Sequence, residues 1–423
     1  MGPDTGNESV FTWAAPPIKF GLGALDEIGA EIAARGVSRC LVLTDPRVRE
    51  AGAPDRVRES ITAAGVKAEV YDGVATEPTD QSIDDAVAFA REQDWDCFVA
   101  VGGGSVIDTA KAVNLLTTHP GTLLDFVTPP IGEGKAPWLP LKPLIAVPTT
   151  AGTGSESTTI CVVDLLGLHL KAGVSHPTLR PALAIIDPLT TVTMPAAVTA
   201  ASGMDVLSHA LESYTSVSFD AKPAPDDPMR RPAFCGSNPI SDVWCEMALG
   251  LVGKYLRRAV LNGRDMEARY QMALASTYAG TGFGNAGTHL PHANGYPIAG
   301  AVRDYQAEGY PPMPMVPHGQ AVSATAASVF RWTYPADPGR HLRAAELLTG
   351  RTYTSTDGAD ALAHALSELM TDIGMPIGLR SFGYTAGDID ELVDGTLKQT
   401  RQLAVVPRPV TREALGDIFT ASL

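Results

Sequence analysis

Between residue 40 and about residue 187, short β-branched apolar runs alternate with longer stretches in which apolar residues recur at helical spacing. The runs fall at 40–44, 68–71, 97–101, 144–147 and 183–186, and the helical patterns near 45–64, 80–92 and 105–116. This alternation predicts βαβ units and a mostly parallel sheet. Thr79 before Asp80 reads as one helix start, and Ser105 with Asp108 three residues on reads as another. After Pro195 the β-branched runs give way to Ala, Leu, Met and Glu at helical spacing. The pattern predicts a lead-in at 1–12, an α/β domain at 13–195 and an all-α domain at 196–423. Two stretches rich in Pro, Gly and charge, 221–239 and 301–317, interrupt the second half and are expected to be lids or oligomer contacts.

The length, 423 residues, suits two cores, since single cores seldom grow past roughly 250–300 residues. Apolar residues at 45% against 19% charged give a globular balance, and no apolar run reaches the roughly 18 residues of a membrane span. A net charge of −15 disfavours nucleic acid and anionic membranes as partners, because both are held by clustered Lys and Arg. The five cysteines (Cys40, Cys97, Cys161, Cys235, Cys245) are scattered and never form C-x-x-C, which suggests neither a disulfide framework nor a thiolate zinc site. The lead-in is acidic and polar, without the apolar core of a secretory signal or an Arg-rich amphipathic pattern, so it is expected to be disordered. Together these features lead us to expect a cytoplasmic protein.

Two glycine-rich segments leave predicted strands. Gly102, Gly103, Gly104 and Ser105 open a predicted helix, where close backbone approach and free N–H groups suit a pyrophosphate, although a simple tight turn reads equally well. The second runs Pro148-Thr149-Thr150-Ala151-Gly152-Thr153-Gly154-Ser155-Glu156, with hydroxyls for phosphate or ribose. Loops at strand C-termini are where ligands sit in open α/β sheets. Asp45, ending the first run, serves either ribose hydroxyls, favouring NAD over NADP, or the N-cap of a helix that Pro46 begins.

In the helical half, Asp205 and His209 lie four apart on one helix face and can converge on one ion, although that spacing also occurs in plain surface pairs. His292 and His318, each beside Pro and small residues, add two more imidazoles. Three imidazoles and a carboxylate suit Fe²⁺ or Zn²⁺ while leaving a position for a substrate oxygen. His289, three before His292, is a pocket-lining or second-sphere candidate with a packing role as the alternative. His119, His169, His176, His341 and His364 are expected to be structural or exposed.

Taken together, residues 102–105 with Asp108 and Lys111, the 148–156 loop, Asp205 with His209, and His318-Gly319 resemble the iron-containing (group III) alcohol dehydrogenases. Within that family the resemblance extends to the hydroxyacid-oxoacid transhydrogenase branch. It is carried by residues 142–150, Gly236-Ser237-Asn238-Pro239-Ile240-Ser241-Asp242 and Gly282-Phe283-Gly284-Asn285-Ala286-Gly287. It runs from about Phe11 to the C-terminus. It implies a dehydroquinate-synthase-like fold, with an α/β nucleotide-binding domain and an all-helical metal-binding domain. It further implies Asp205, His209, His292 and His318 as ligands of a divalent metal, Fe²⁺ with Zn²⁺ as the alternative. Asp45, Gly103, Gly104, Ser105, Asp108, Thr149, Thr150 and Lys171 are implied to bind NAD, and a homo-oligomer is expected. Where many family members carry a second histidine as a proton relay, four residues past the third ligand, this chain has Tyr296. A phenol, with an ordinary pKa near ~10, can donate a hydrogen bond but does not titrate near neutrality.

The resemblance implies hydride transfer between a small, anionic hydroxy acid or alcohol and NAD, with Tyr296 and His289 as catalytic candidates and Lys171, Arg303 or His289 meeting a substrate carboxylate. A transhydrogenase would shuttle hydride through a retained NAD between, for example, 4-hydroxybutyrate and 2-oxoglutarate. The alternatives are an ordinary reductase of a small anionic aldehyde, such as succinic semialdehyde or a phosphonoaldehyde, and the cyclising lyase that shares the fold.

Overall fold

The computed structural model describes residues 7–168, 170–228 and 231–423. The chain forms two compact units, Ala15–Met194 on one hand and Pro195–Leu423 with the described residues up to Ala14 on the other.

The first unit contains β1 (Ile18–Phe20), β2 (Arg39–Leu43), β3 (Lys67–Tyr71), β4 (Cys97–Gly102), β5 (Leu144–Pro148), β6 (Ile160–Leu165), β7 (Leu170–Ser175) and β8 (Leu183–Ile186). Its helices are α1 (Ile28–Ala33), α2 (Pro46–Glu50), α3 (Ala53–Ala63), α4 (Asp80–Ala90), α5 (Gly104–Thr118) and α6 (Leu123–Phe126). Six strands form one parallel sheet in the order β1-β8-β5-β4-β2-β3, and β6 with β7 form a separate antiparallel hairpin. Alternation along β4 shows why the central strands of the sheet are apolar. Cys97, Val99 and Val101 pack with Ile28, Ile32, Val57 and Ile61 on one side. Phe98 and Ala100 pack with Ile83, Val87, Ile107 and Val113 on the other. A strand buried on both faces must be apolar at every position, which is the continuous pattern seen in the sequence.

Three local expectations change. The pattern at 45–64 is two helices, because Gly52 takes a left-handed φ of +90° and Pro54 starts α3 afresh. The helix start at Ser105 is displaced, since Gly103 is the N-cap of α5 and the Ser105 hydroxyl instead donates to the Thr76 carbonyl. The β6–β7 hairpin went unpredicted because Asp164, Lys171 and Gly173 dilute its β-branched signal.

A buried ion pair ties α5 to the segment after β5. The Lys111 ammonium has four acceptors, the Ser155 carbonyl (2.8 Å) and hydroxyl (2.9 Å), the Thr158 hydroxyl (3.0 Å) and the Ile160 carbonyl (2.6 Å). Asp108, 3.6 Å away, accepts from the Ser155 hydroxyl and from the Val162 amide at 2.8 Å.

The second unit is helical: α7 (Ala196–Thr215), α8 (Pro239–Leu261), α9 (Met266–Ala286), α10 (Leu290–Gly300), α11 (His318–Ser323), α12 (Ala326–Thr333), α13 (Pro338–Thr349), α14 (Asp360–Asp372), α15 (Ile389–Leu397), α16 (Thr400–Leu403) and α17 (Arg412–Ala421). Helices α7, α8 and α9 pack on one another, and α10 and α11 pack on α7. Asn238 caps α8 by accepting from the Ser241 amide at 3.0 Å, with Pro239 in the first turn, so part of the 236–242 segment is helix-start chemistry.

The lead-in expected to be disordered falls partly outside the described residues, at 1–6. From Asn7 on it is docked. Asn7 pairs with Pro223, Glu8 meets Arg231 at 2.8 Å, Phe11 lies edge-on to Phe219 at 4.7 Å, and Ala14 exchanges two hydrogen bonds with the Asn285 amide at 2.9 and 3.0 Å. No helix among the described residues is long and apolar enough to cross a membrane.

Replacing Lys111 with Met leaves the Asp108 carboxylate buried without its cation. We expect a loss of about 3–5 kcal/mol, read as a lower urea midpoint; an unchanged midpoint would refute the structural weight given to this pair.

Candidate metal centre and cofactor loops

Helix α7 places Asp205, His209 and Glu212 at i, i+4 and i+7, one above another on a single face. His292 and Tyr296 lie one turn apart on α10, and His318 is the first residue of α11. Ligand atoms of Asp205, His209 and His292 all lie within 4.8 Å of one another. From one oxygen, Asp205 Oδ1, Nε2 of His209 is 3.7 Å away, that of His292 3.6 Å and that of His318 3.7 Å. These three near-equal gaps are too long for hydrogen bonds. They lie at or within about 0.1 Å of the upper end of the roughly 3.3–3.6 Å that tetrahedral geometry sets between two ligand atoms each about 2.0–2.2 Å from a shared ion.

A second observation points the same way. Asp205 Oδ1 and His292 Nε2 are shielded from solvent and have no hydrogen-bond partner among the described residues. Orphaned buried polar atoms are costly and rare, and a divalent cation would satisfy both. The residues present therefore fit a metal.

The electrostatics fit as well. Burial, and then the neighbouring Glu212 charge, hold the Asp205 carboxyl well above the usual carboxylate range. Burial, and then Arg401, push the His292 imidazole down to about 3. A pocket that keeps the His292 imidazole neutral while a carboxylate lacks a counter-charge is one that a cation completes. Asp205 is 2% exposed, whereas the His318 side chain is 34% exposed, so the cluster opens on the His318 side.

Glu212, not singled out from the sequence, holds the centre together. Fully buried, it accepts from the amides of His289 (2.6 Å) and His292 (3.3 Å), and its Oε1 lies 2.6 Å from His292 Nδ1. That bond fixes the tautomer which presents Nε2 toward Asp205, the carboxylate–histidine arrangement typical of metal sites. Its seven-residue spacing from Asp205 was the available signal. Phe283 stacks on the His209 ring at 3.8 Å, and Gly319 lets α11 meet α7, since a Cβ there would collide with the Ala201 carbonyl.

The His289 ring takes the packing alternative in this structure. It is fully buried, its Nδ1 accepts from the Leu290 amide at 2.8 Å, and its Nε2 faces the Thr215 hydroxyl at 3.0 Å, so both ring nitrogens are engaged structurally. Tyr296 lies beside the cluster, its ring 6.4 Å from that of His318. Of the remaining histidines, His119 and His341 are buried and hydrogen-bonded, His176 caps a short turn, His364 is exposed, and His169 lies outside the described residues.

In the α/β unit, β4 and β5 bring the two glycine-rich loops together. The Thr149 amide donates to the Gly102 carbonyl at 3.1 Å. A Cβ on Gly104 would come within 2.6 Å of Thr153, and one on Gly103 within 3.4 Å of Thr150. These glycines thus serve loop-on-loop packing, while the first turn of α5 keeps N–H groups without intrahelical partners. Asp45 caps α2, its Oδ1 accepting from the Arg47 (2.9 Å) and Val48 (3.0 Å) amides. Asp108 departs from the cofactor-binding expectation because both carboxylate oxygens are taken by Ser155 and Val162. The Ser105 hydroxyl is likewise engaged, leaving its backbone as the available group. Lys171 is buried and ion-paired with Glu77, and Arg303 is exposed and paired with Asp388.

Comparison with known proteins matches residues 15–188 to the iron-containing alcohol dehydrogenase model and residues 233–423 to the C-terminal model of the Fe-containing alcohol dehydrogenase family. The chain is 47% identical to the mitochondrial hydroxyacid-oxoacid transhydrogenase of Xenopus laevis, over 98% of this chain and 90% of that one. The chain belongs to the iron-containing alcohol dehydrogenase family. Its α/β-plus-helical architecture matches that of a 1,3-propanediol oxidoreductase, with a TM-score of 0.85 and 31% identity, covering 98% of this chain and 100% of the other. A sulfoacetaldehyde reductase from Bifidobacterium kashiwanohense, solved in complex with NAD⁺, gives 0.80 and 29%, covering 98% and 99%.

As an iron-containing alcohol dehydrogenase, this protein is a metal-dependent, NAD-linked oxidoreductase resembling hydroxyacid-oxoacid transhydrogenase. The cyclising-lyase alternative is set aside. The cytoplasmic expectation is overturned, because the Xenopus relative and its counterparts in cattle, human and nematode are all named mitochondrial. Scattered free cysteines indicate a reducing environment and do not distinguish one such compartment from another.

Replacing Glu212 with Gln should weaken metal binding by about 10–100-fold, measured by chelator competition, and leave NAD affinity intact. Wild-type metal affinity in that variant would show that the His292 brace is dispensable.

Proposed function

We propose that the protein transfers hydride from a small hydroxy acid to an oxo acid through an NAD that stays bound between the two half-reactions. The observation carrying this reading is the 47% identity to a transhydrogenase over nearly the whole chain, together with the buried cluster around Asp205. Asp205, His209, His292 and His318 hold the divalent metal, which we take to be Fe²⁺. The loops at Gly103, Gly104, Ser105, Thr149 and Thr150, with Asp45 and Lys171, hold NAD.

When bound, the metal supplies Lewis acidity that stabilises negative charge on the substrate oxygen, and NAD accepts and returns the hydride. The chain's own contribution is to hold the His292 imidazole neutral by burial, to orient it through Glu212, and to set the Tyr296 hydroxyl as a hydrogen-bond donor beside the reacting oxygen. We further propose a homo-oligomer, with a small anionic molecule rather than nucleic acid as the partner. Likeness to a sulfoacetaldehyde reductase favours one second reading, an ordinary NAD-dependent reductase of a small anionic aldehyde.

Purified protein given 4-hydroxybutyrate and 2-oxoglutarate, without added NAD, should form succinic semialdehyde and 2-hydroxyglutarate in equal amounts. Dependence of turnover on added NAD would instead select the reductase reading. Tyr296→Phe should lower kcat by about 10²-fold with metal content unchanged; a variant as fast as wild type would remove Tyr296 from the chemistry.

A further inference from the structure

Family resemblance assigns Lys171 to the cofactor, yet in the fold its ammonium is held by a carboxylate, that of Glu77. The Lys171 side chain is 9% exposed and that of Glu77 29%, so the pair is reached from solvent on the Glu77 side. Glu77 belongs to the segment that joins β3 to α4.

That segment is fastened on both sides of Glu77. The Thr76 carbonyl accepts from the Ser105 hydroxyl, in the first turn of α5. The Pro78 carbonyl accepts from the Asp164 amide at 2.8 Å, and Thr79 forms a bridge with Asp164 of β6. Glu77 lies between these attachments, one residue, or about 3.8 Å along the chain, from the residue bonded to α5. Lys171 reaches it from β7, where it stands opposite Asp164 in the hairpin register. The ion pair is therefore fixed beside the first turn of α5, whose N–H groups lack intrahelical partners.

Two anions thus contend for one ammonium. A pyrophosphate held at the first turn of α5 draws a neighbouring cation toward it, whereas the Glu77 carboxylate holds the same cation back. Lysine can serve either one, because its charge is a compact point on a flexible stem. Each anion also raises the cost of the other, since like charges repel strongly at a partly buried site.

We propose that Glu77 sets the affinity for NAD, and with it the time the cofactor stays bound, by competing with the pyrophosphate for Lys171. Glu77 is a positioning residue: it acts through the ammonium and takes no part in hydride transfer. The proposal rests on the reading above, in which Lys171 and residues 103–105 hold NAD. It names the group that controls the cofactor retention on which hydride exchange depends.

The test measures NAD binding by calorimetry in metal-loaded protein stripped of nucleotide. Glu77→Gln keeps the side-chain shape and removes the charge, while Asp164 remains opposite Lys171 in the hairpin. The Kd for NAD should fall about 10-fold, and release of NADH, followed by its fluorescence in a chase with excess NAD, should slow by a similar factor. Added NAD should raise the melting temperature more than it does in wild type. Glu77→Asp, whose carboxylate is drawn back by one methylene, should fall between the two.

Lys171→Met should weaken NAD about 10–100-fold. Adding Glu77→Gln to that variant should bring no gain, because the group through which Glu77 acts is gone. Unchanged or weaker NAD binding in Glu77→Gln would overturn the proposal, as would a gain that persists in the Lys171→Met background, the mark of direct repulsion. Wild-type affinity in Lys171→Met would take Lys171 out of the cofactor site, and the proposal falls with that part of the reading. Weakened binding in Lys171→Met beside unchanged binding in Glu77→Gln removes the role of Glu77 alone.

Discussion

The helical unit is organised around two carboxylates buried on one face of α7. Burial raises both the Asp205 and Glu212 carboxyls, and the Glu212 charge adds to the cost of charging Asp205. The fold meets this by giving them different partners. Glu212 takes two backbone amides and the His292 imidazole, all protein groups. Asp205 directs Oδ1 at three imidazole nitrogens that cannot reach it, a spacing only an ion can use. The approach of α10 and α11 to α7 follows, because each must deliver one histidine to that oxygen.

The α/β unit solves a different problem, holding two glycine-rich loops still. Lys111 and Asp108 do so from inside, fastening α5 to Ser155, Thr158 and β6. Burial alone raises the Glu156 carboxyl, on the same loop, to about 7. A loop that is mostly buried and internally bonded is pre-organised, which lowers the ordering cost of binding a ligand against it.

How far this was legible follows from what each residue needs. Strands β4, β5 and β8 were readable to within a residue because strands buried on both faces leave an unbroken apolar run, and β2 and the edge strand β3 were readable from shorter apolar runs. The docked lead-in was not, since Glu8, Phe11 and Ala14 find partners more than 200 positions away and carry no local pattern. At the centre, Asp205 and His209 were visible through helical spacing, and His292 and His318 through their residue type. Glu212 was passed over because an acidic residue on a helix ordinarily marks a solvated face. For His289 the sequence left pocket lining and packing equally open, because only the partners of its ring, the Leu290 amide and the Thr215 hydroxyl, separate the two.

The segment from Asn7 to Ala14 also sets an order of events during synthesis. It is made before its partner Asn285, which lies 271 positions downstream of Ala14. At about 5–20 residues per second, a ribosome needs roughly 15–50 s to deliver that partner. In the interval the α/β unit is complete and able to fold while the strand of chain ahead of it has nowhere to bind. Docking of this segment onto Asn285 is therefore a late step, and a nascent chain stalled before Asn285 would carry a finished α/β unit with the 7–14 segment unbound.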